Sequence, residues 1–137
     1  MNLEIKIKQG IGDVRFGMSI AEAEAILGQP TDYEDIDNGF DEALKVAHYD
    51  GLDMTLFFEG EAKTLNCIDI YNSNATLFGE KIIGSTEREV VSLLVANKYY
   101  EQDIETEAWG ERRVSFAEGN IDLFFADNRL ASISIGS

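Results

Sequence analysis

An internal repeat constrains this chain of 137 residues more than any other feature. At a constant offset of 67 positions, identical or similar residues recur in the same order without a gap. The matched pairs are Gly12 and Gly79, Gly17 and Gly84, Ser19 and Thr86, Glu22 and Glu89, Leu27 and Leu94, Tyr33 and Tyr100, and Phe57 and Phe124. We therefore predict one domain, residues 1–137, built from two repeats at about 1–71 and 72–137. Because each half is small for independent stability, we expect the halves to share a core.

Each half predicts a short helix followed by antiparallel strands. Ser19-x-x-Glu22 has the spacing of a capping box, in which the hydroxyl and the carboxylate each accept a hydrogen bond from a backbone amide, and Thr86-x-x-Glu89 repeats it. After each helix come an acidic stretch and then apolar segments that alternate with polar residues and are separated by short turns. The predicted strands are about Ala43–Tyr49, Leu52–Phe58, Leu65–Tyr71, Arg112–Ala117, Ile121–Ala126 and Leu130–Ile135. The expected fold class is α+β, with two β-meanders side by side and the helices on one face.

Alternation along these strands separates a core face from an open face. The residues predicted to face the helices are Val46, Met54, Leu56, Phe58, Ile68, Ile70, Val114, Ile121, Leu123, Phe125, Ile133 and Ile135. The residues predicted on the open face are Tyr49, Asp53, Phe57, Asp69, Tyr71, Asp122 and Phe124, with Phe116 or Arg113 depending on register. Aromatic rings mixed with carboxylates are typical of protein-recognition surfaces. The alternative is that a terminal strand, a loop or a second subunit covers them.

The charge balance favours a basic partner. There are 26 acidic and 11 basic residues, which gives a net charge of −15. Such a surface repels phosphate backbones and anionic lipids, which argues against nucleic-acid and membrane binding. The same field attracts cationic proteins and raises their association rate. The alternative is that the acidity only keeps the protein in solution.

The acidic stretches concentrate this charge. The first holds six carboxylates without an intervening base, namely Asp32, Glu34, Asp35, Asp37, Asp41 and Glu42. It does not predict a calcium site, because the glycine of Asp35-x-Asp37-x-Gly39 comes one position too early for an EF-hand loop and the final bidentate Glu is missing. In the second stretch Glu101, Asp103, Glu105 and Glu107 alternate, which predicts an extended acidic edge that either blocks aggregation or binds a partner. Trp109 follows, either as an anchor for a cationic partner or as a cap on the shared core.

Catalytic motifs are lacking, and we predict neither an enzyme nor a cofactor. His48 is the only histidine and Cys67 the only cysteine; each falls within a predicted strand, where a structural role is the simpler interpretation. A single cysteine cannot form an intramolecular disulfide, which is typical of a reducing compartment. No stretch approaches the ~20 apolar residues of a membrane span, and Met1–Lys8 does not have the continuous apolar run of a secretory signal. We therefore expect a cytoplasmic protein.

The entry to the first helix resembles a known family. Gly17-Met18-Ser19-x-x-Glu22 followed by Leu27-Gly28-x-Pro30 is similar to the motif shared by the SmpA/OmlA (BamE) lipoproteins and the β-lactamase-inhibitor-protein family. The tandem duplication resembles the inhibitor branch, which implies two helix-and-sheet units whose joint sheet surface grips a target protein. The chain departs from both branches, since it shows neither a lipoprotein signal nor the cysteines for the inhibitors' disulfides. A similar scaffold is also expected of cytoplasmic immunity proteins, which neutralise toxin domains.

These observations lead to a hypothesis of an intracellular inhibitor or immunity protein that occludes a basic protein partner. The predicted anchors are Phe57, Phe124 and Trp109, and Asp35, Asp37, Asp53 and Asp122 are predicted to pair with basic side chains of the partner. Tyr49, Tyr71 and Asp69 complete the predicted surface. One alternative is an assembly domain that forms a homodimer through the sheet, in place of a monomer that binds a different protein. A second alternative is a module for a small ligand or Ca²⁺.

Overall fold

The computed structural model describes residues 2–37 and 43–137, and the side chains of Asp37 and Ala43 lie outside the described part. These residues form a mixed α and β fold with helices α1 (Ile20–Leu27) and α2 (Glu87–Ala96) and two sheets of five and eight strands. The strands are β1 (Glu4–Lys6), β2 (Gly10–Ile11), β3 (Val14–Arg15), β4 (Asp32–Asp37), β5 (Ala43–Tyr49), β6 (Met54–Glu59), β7 (Thr64–Ile70), β8 (Thr76–Leu77), β9 (Glu80–Lys81), β10 (Gln102–Thr106), β11 (Arg112–Phe116), β12 (Ile121–Ala126) and β13 (Arg129–Gly136). Neither of these helices is long and apolar enough to cross a bilayer.

The large sheet is antiparallel throughout and has the order β10-β11-β12-β13-β7-β6-β5-β4. It consists of two four-stranded meanders joined where β13 pairs with β7. At this junction Ser134 lies directly opposite Asp69, and isoleucines pair on either side of them, Ile133 with Ile70 and Ile135 with Ile68. The two expected meanders therefore form one continuous sheet.

The small sheet has the order β3-β2-β1-β8-β9, and β1 lies at its centre. Ile5 of β1 pairs with Ile11 on one side, antiparallel, and with Leu77 on the other side, parallel. Leu3, Ile5 and Ile7 alternate with Glu4, Lys6 and Lys8, and this period of two predicts β1 but not the hairpins beside it. Strands of two residues are too short to show a period of two.

One hydrophobic core lies between the large sheet, the helices and the small sheet. It contains residues from both meanders together with Ile5, Ala23, Val90 and Leu94. Of the twelve residues predicted to face the helices, all are buried in this core except Val46, which is buried outside it. Burying apolar side chains from every layer in one cluster is what stabilises a domain of this size.

Both helices begin with the predicted capping box. In α1 the amide of Glu22 donates to Ser19 Oγ at 3.2 Å, and the amide of Ser19 donates to Glu22 Oε1 at 3.1 Å. In α2 the corresponding bonds between Thr86 and Glu89 are 3.3 and 3.1 Å. The second helix ends at Ala96 with Asn97 as its cap. The local spacing therefore predicted both helix starts correctly.

Other positions 67 residues apart also adopt matching backbone conformations. Two 3-10 turns, Asp50–Leu52 and Ala117–Gly119, precede the inner strands β6 and β12. The residues after them, Asp53 and Asn120, are both left-handed, with φ 48° and ψ 50° for the first and φ 48° and ψ 52° for the second. Asn and Asp tolerate this conformation better than most residues, which explains their place here.

The acidic stretches form the two edge strands of the large sheet, β4 and β10. The second was predicted to be an extended edge, and this is confirmed. The first was not predicted as a strand, because Asp and Glu have low β-propensity; pairing with β5 imposes the extended conformation. Asp41, Glu42 and Gly39 of the predicted acidic region lie outside the described residues.

Candidate functional site

The face of the large sheet that points away from the helices carries polar and aromatic side chains, and we call it the open face. The strand registers place on it Asp32, Glu34, Val46, His48, Thr55, Phe57, Glu59, Cys67, Asp69, Asp103, Glu105, Arg113, Ser115, Asp122, Phe124, Ser132 and Ser134. The helices and the small sheet cover the other face. Among the described residues, no element packs over the open face as a second layer.

A groove runs along the open face where β13 meets β7, and we call it the seam groove. Its larger hollow, of about 470 Å³, is lined by Thr55, Asp69, Tyr71, Glu111, Phe124, Ser132 and Ser134. A second hollow, of about 380 Å³, is lined by Asn66, Cys67, Asn120, Asp122, Ser134, Ile135, Gly136 and Ser137. The two hollows share Ser134. The structure thus brings together four of the predicted site residues, Asp69, Tyr71, Asp122 and Phe124.

The carboxylates of the seam groove repel one another. Burial raises the pKa of the Asp69 carboxyl; a hydrogen bond from Ser134 opposes this, and the charge of Asp122 adds to it. The pKa of the Cys67 thiol is also raised, chiefly by burial, and its Sγ lies 3.4 Å from Ser134 Oγ. A thiol with a raised pKa is a weak nucleophile, which agrees with the structural role predicted for it.

The two predicted phenylalanine anchors lie on the open face on opposite sides of the seam. Phe57 on β6 is half-buried and pairs with Val46, which is 2% exposed, and with Cys67. Phe124 on β12 is half-buried and pairs with Arg113 and Ser132. Half-buried rings of this kind give a partner rigid apolar surface at low cost in side-chain entropy.

Arg113 is the basic group of the open face on the β10 side. Its Nη2 lies 2.7 Å from Glu105 Oε2 and 3.8 Å from Asp103 Oδ2, while its buried Nε has no hydrogen-bond partner. This ion pair neutralises part of the acidic edge that β10 forms. The sequence left open whether Arg113 or Phe116 lies on the open face. The structure places Arg113 there and buries Phe116 in the core opposite Ile121.

Trp109 lies at the tip of the β10–β11 hairpin and is 74% exposed. Its Nε1 donates to Glu111 Oε2 at 3.3 Å, and Glu111 lines the seam groove. The alternative that Trp109 caps the shared core is therefore wrong. An exposed indole beside a groove is available for contact with a partner.

Tyr49 does not lie on the open face, and this prediction is wrong. The ring is 4% exposed in the core, and its hydroxyl donates to the carbonyl of Gly28 at 3.0 Å. The cause is the register of β5, which pairs Tyr49 with Met54 and Val46 with Phe57. Both faces of β5 carry apolar residues, so alternation did not distinguish them.

Three predicted aspartates lie away from the seam groove. Asp35 is on the edge strand β4, on the same side as Lys45, whose Nζ is 4.0 Å from its Oδ1. Asp53 is exposed in the turn before β6. Asp37 ends β4, and its side chain lies outside the described part. The structure therefore does not gather these carboxylates into one site.

Sequence reasoning missed several residues that line the seam groove. Thr55, Ser132, Ser134 and Glu111 were not singled out, since isolated hydroxyl and carboxylate residues carry no motif. Their only sequence signal was alternation with buried neighbours, as in Ile133-Ser134-Ile135. The pairing of β13 with β7, which makes them neighbours of Asp69, is not encoded locally.

The open face has one histidine, and it pairs with a carboxylate. His48 Nε2 lies 3.5 Å from Glu34 Oε2, between strands β5 and β4. Within the part of the chain that is described, no group of three or more His, Cys, Asp or Glu side chains is arranged to hold a metal ion. The chemistry that the open face offers is therefore hydrogen bonding, charge and aromatic contact.

Solved structures with a similar fold are known from two bacteria. The uncharacterized protein yfeY from Escherichia coli aligns with a TM-score of 0.61 over the whole of both chains, at 13% identity. An extracellular protein containing a SCP domain from Bacillus anthracis aligns with a TM-score of 0.51 at 12% identity, over 95% of this chain and 49% of its own length. No family model and no curated protein matches the sequence. At these identities the likeness concerns the fold alone.

Proposed function

We propose that this protein binds a basic protein partner and covers it with the open face, as an inhibitor or immunity protein. The observation that carries the proposal is a broad, uncovered sheet face with Phe57 and Phe124 on either side of a groove that contains Asp69 and Asp122. Aromatic anchors around desolvated polar groups are the usual source of affinity at protein interfaces. Binding would occlude the active surface of the partner sterically.

Charge supports a basic partner over a second copy of the same chain. The net charge of −15 includes carboxylates on both edge strands and in the seam groove. Two open faces brought together would place like charges opposite one another, which costs free energy. A cationic surface would instead be steered to the open face.

We infer that the chain arose by duplication of a helix-and-meander unit, as the offset of 67 predicts. Support comes from the paired capping boxes, from the left-handed Asp53 and Asn120, and from the antiparallel β13–β7 junction around Ser134 and Asp69. The arrangement agrees with a pseudo-twofold axis through this junction. A duplication of this kind doubles the width of the recognition surface without a new fold.

The proposed compartment is the cytoplasm. The single thiol of Cys67 is free, and no disulfide stabilises the described residues. The inhibitor-like resemblance of the helix entry motif supports the proposed class of function, and the absence of the inhibitors' cysteines favours an intracellular immunity role over a secreted one.

Alanine substitution of the anchors tests the proposal. The partner would be sought among proteins encoded next to this one and in pull-downs from the host, and then purified. We expect Phe124→Ala and Phe57→Ala each to weaken its binding by about 2 kcal/mol or more, measured by calorimetry. The control is Phe78→Ala, which removes an exposed aromatic ring that packs on Tyr99, away from the open face. A partner whose affinity changes equally in all three variants does not use this face.

The charge argument has its own test. We expect the association rate with the basic partner to fall steeply as NaCl is raised, because salt screens the field beyond a Debye length of about 10 Å at 0.1 M. Stopped-flow measurements at several ionic strengths give this dependence. A rate that does not change with salt would remove electrostatic steering from the proposal.

A further inference from the structure

The seam groove contains carboxylates, among them Asp69 and Asp122, that no described cation neutralises. The ion pairs among the described residues join Lys45 to Asp35, His48 to Glu34, Arg112 to Glu87, and Arg113 to Asp103 and Glu105. Neither Asp69 nor Asp122 takes part in one. The two are close enough for the charge of Asp122 to act on Asp69. A cation that entered the groove would relieve this repulsion.

Hydroxyl groups beside these carboxylates have unused hydrogen-bonding capacity. Thr55 lies opposite Asp69, is only 9% exposed, and lines the groove with its side chain. No hydrogen bond joins its hydroxyl to another described residue. The buried Ser115 Oγ, across from Asp122, has no partner either. Buried polar groups are normally satisfied, so a donor that entered the larger hollow beside Asp69 would complete the hydrogen bonding of Thr55; Ser115 lines neither hollow.

The aromatic side chains that line the seam groove favour one kind of cation. Tyr71, which is 40% exposed, and Phe124 line the same hollow as Asp69. A guanidinium group is planar, stacks on aromatic rings and donates two parallel hydrogen bonds to a carboxylate, whereas an ammonium group is a compact charge that does not do both. The groups of three ligands that a metal would need are not found among the described residues.

We propose that the seam groove binds the guanidinium group of an arginine side chain that the partner inserts. Asp69 accepts its hydrogen bonds in the larger hollow, and Tyr71 and Phe124 stack against its plane there. Asp122, on the other side of Ser134, adds its negative charge. The choice of an arginine from a protein rests on the proposed function. The groove itself can be tested without the partner.

A small probe gives that test. Nitrogen-15 NMR spectra of the whole protein are titrated with N-acetyl-arginine amide, and with N-acetyl-citrulline amide, which has nearly the same shape without the charge. We expect saturable shifts at the amides of Asp69, Phe124 and Ser134, with a Kd of about 1 mM or above, as is usual for a single side chain. The citrulline probe shows none, and the lysine analogue binds at least about tenfold more weakly because it cannot pair in a bidentate way.

Two aspartates of the same face provide matched variants. Asp69→Asn keeps the shape of the side chain and removes the charge, and we expect it to raise the Kd for the arginine probe at least about tenfold. Asp103→Asn makes the same change where Arg113 lies nearby, at the outer edge of the open face, and leaves the Kd unchanged. Well-dispersed spectra establish that both variants are folded.

Three results would overturn the inference. These are shifts that fail to saturate, shifts of equal size with the citrulline or lysine probe, and shifts that persist in Asp69→Asn. The proposed function fails separately. Saturable arginine binding in a protein that binds no basic partner supports the groove and contradicts the proposed function. If a basic partner binds with an affinity that Asp69→Asn does not change, and the arginine probe does not bind, the proposed function is supported and the groove inference is contradicted.

Discussion

Asp69 is a residue at which folding stability and the proposed recognition oppose each other. It is half-buried at the junction of the two meanders, opposite Ser134 and near Asp122, and its pKa is raised mainly by burial. A carboxyl with a raised pKa in the folded state costs stability when it is ionised. Buried groups that are kept at such a cost are often found in functional sites.

We predict that Asp69→Asn raises the free energy of unfolding at pH 7. The folded pKa lies above the unfolded one, so the folded state binds the proton more tightly, and the cost is fully present at neutral pH. As the pH falls through the folded pKa, the wild-type protein recovers this stability while the variant has nothing to recover. Urea denaturation at pH 7 and at pH values down to about 4 measures the difference, since Asp titrates near 4 when unperturbed. An advantage of the variant that stays constant or grows on acidification would contradict the prediction.

Single residues also explain where sequence-based placement failed. Val46 was predicted to face the core, but it lies opposite Phe57 on the open face, and Tyr49 occupies the core instead. Lys45 is on the core side of β5 as well, with its Nζ 4.8 Å from the ring centre of Tyr33. A strand with apolar residues on both faces gives no alternation from which its orientation can be predicted.

At the scale of elements, the helix starts carry local stabilisation that the sequence already specified. Thr86→Ala removes the hydroxyl that accepts a hydrogen bond from the Glu89 amide. We predict a loss of about 1 kcal/mol in the free energy of unfolding. Ser92→Ala is the control, since Ser92 is exposed in the middle of the same helix and caps nothing. Urea denaturation of both variants checks this. Equal stabilities would show that the capping box contributes little.

The edge strands illustrate a different balance. β4 and β10 leave one row of backbone groups unpaired at each end of the large sheet, and both are rich in Asp and Glu. Charged edges discourage edge-to-edge pairing between molecules. Asp103 and Glu105 of β10 also keep Arg113 in place, so the acidic edge has a structural role besides any role in recognition.

For the whole molecule, we predict that the β13–β7 junction makes the two halves one folding unit. Ile133 and Ile70 pair there, and both are fully buried in the common core. We predict that Ile133→Ala costs about 2–5 kcal/mol, and that amides of both halves lose protection against hydrogen exchange together. The control Ile104→Ala makes the same change at an exposed position of β10 and costs much less. Loss of protection confined to residues 72–137 would show that the halves unfold independently.

Interactions between neighbours along the chain account for the helices and most of the central strands of this protein. Both helix starts, the ends of most central strands and eleven of the twelve predicted core residues agree with the structure, because capping and alternation depend on neighbours in the chain. Phe57, Phe124 and Asp122 were placed on the open face for the same reason.

Which of these side chains come into contact depends on long-range strand pairing. The seam groove depends on β13 lying beside β7, where Cys67 and Ser134 come within 3.4 Å although they are 67 residues apart. Such pairing is set by the packing of the whole core and by register between distant strands. This is why Asp69 and Ser134 could not be predicted as neighbours. Tyr49 and Val46 were assigned to the wrong faces for a different reason, since β5 has apolar residues on both faces.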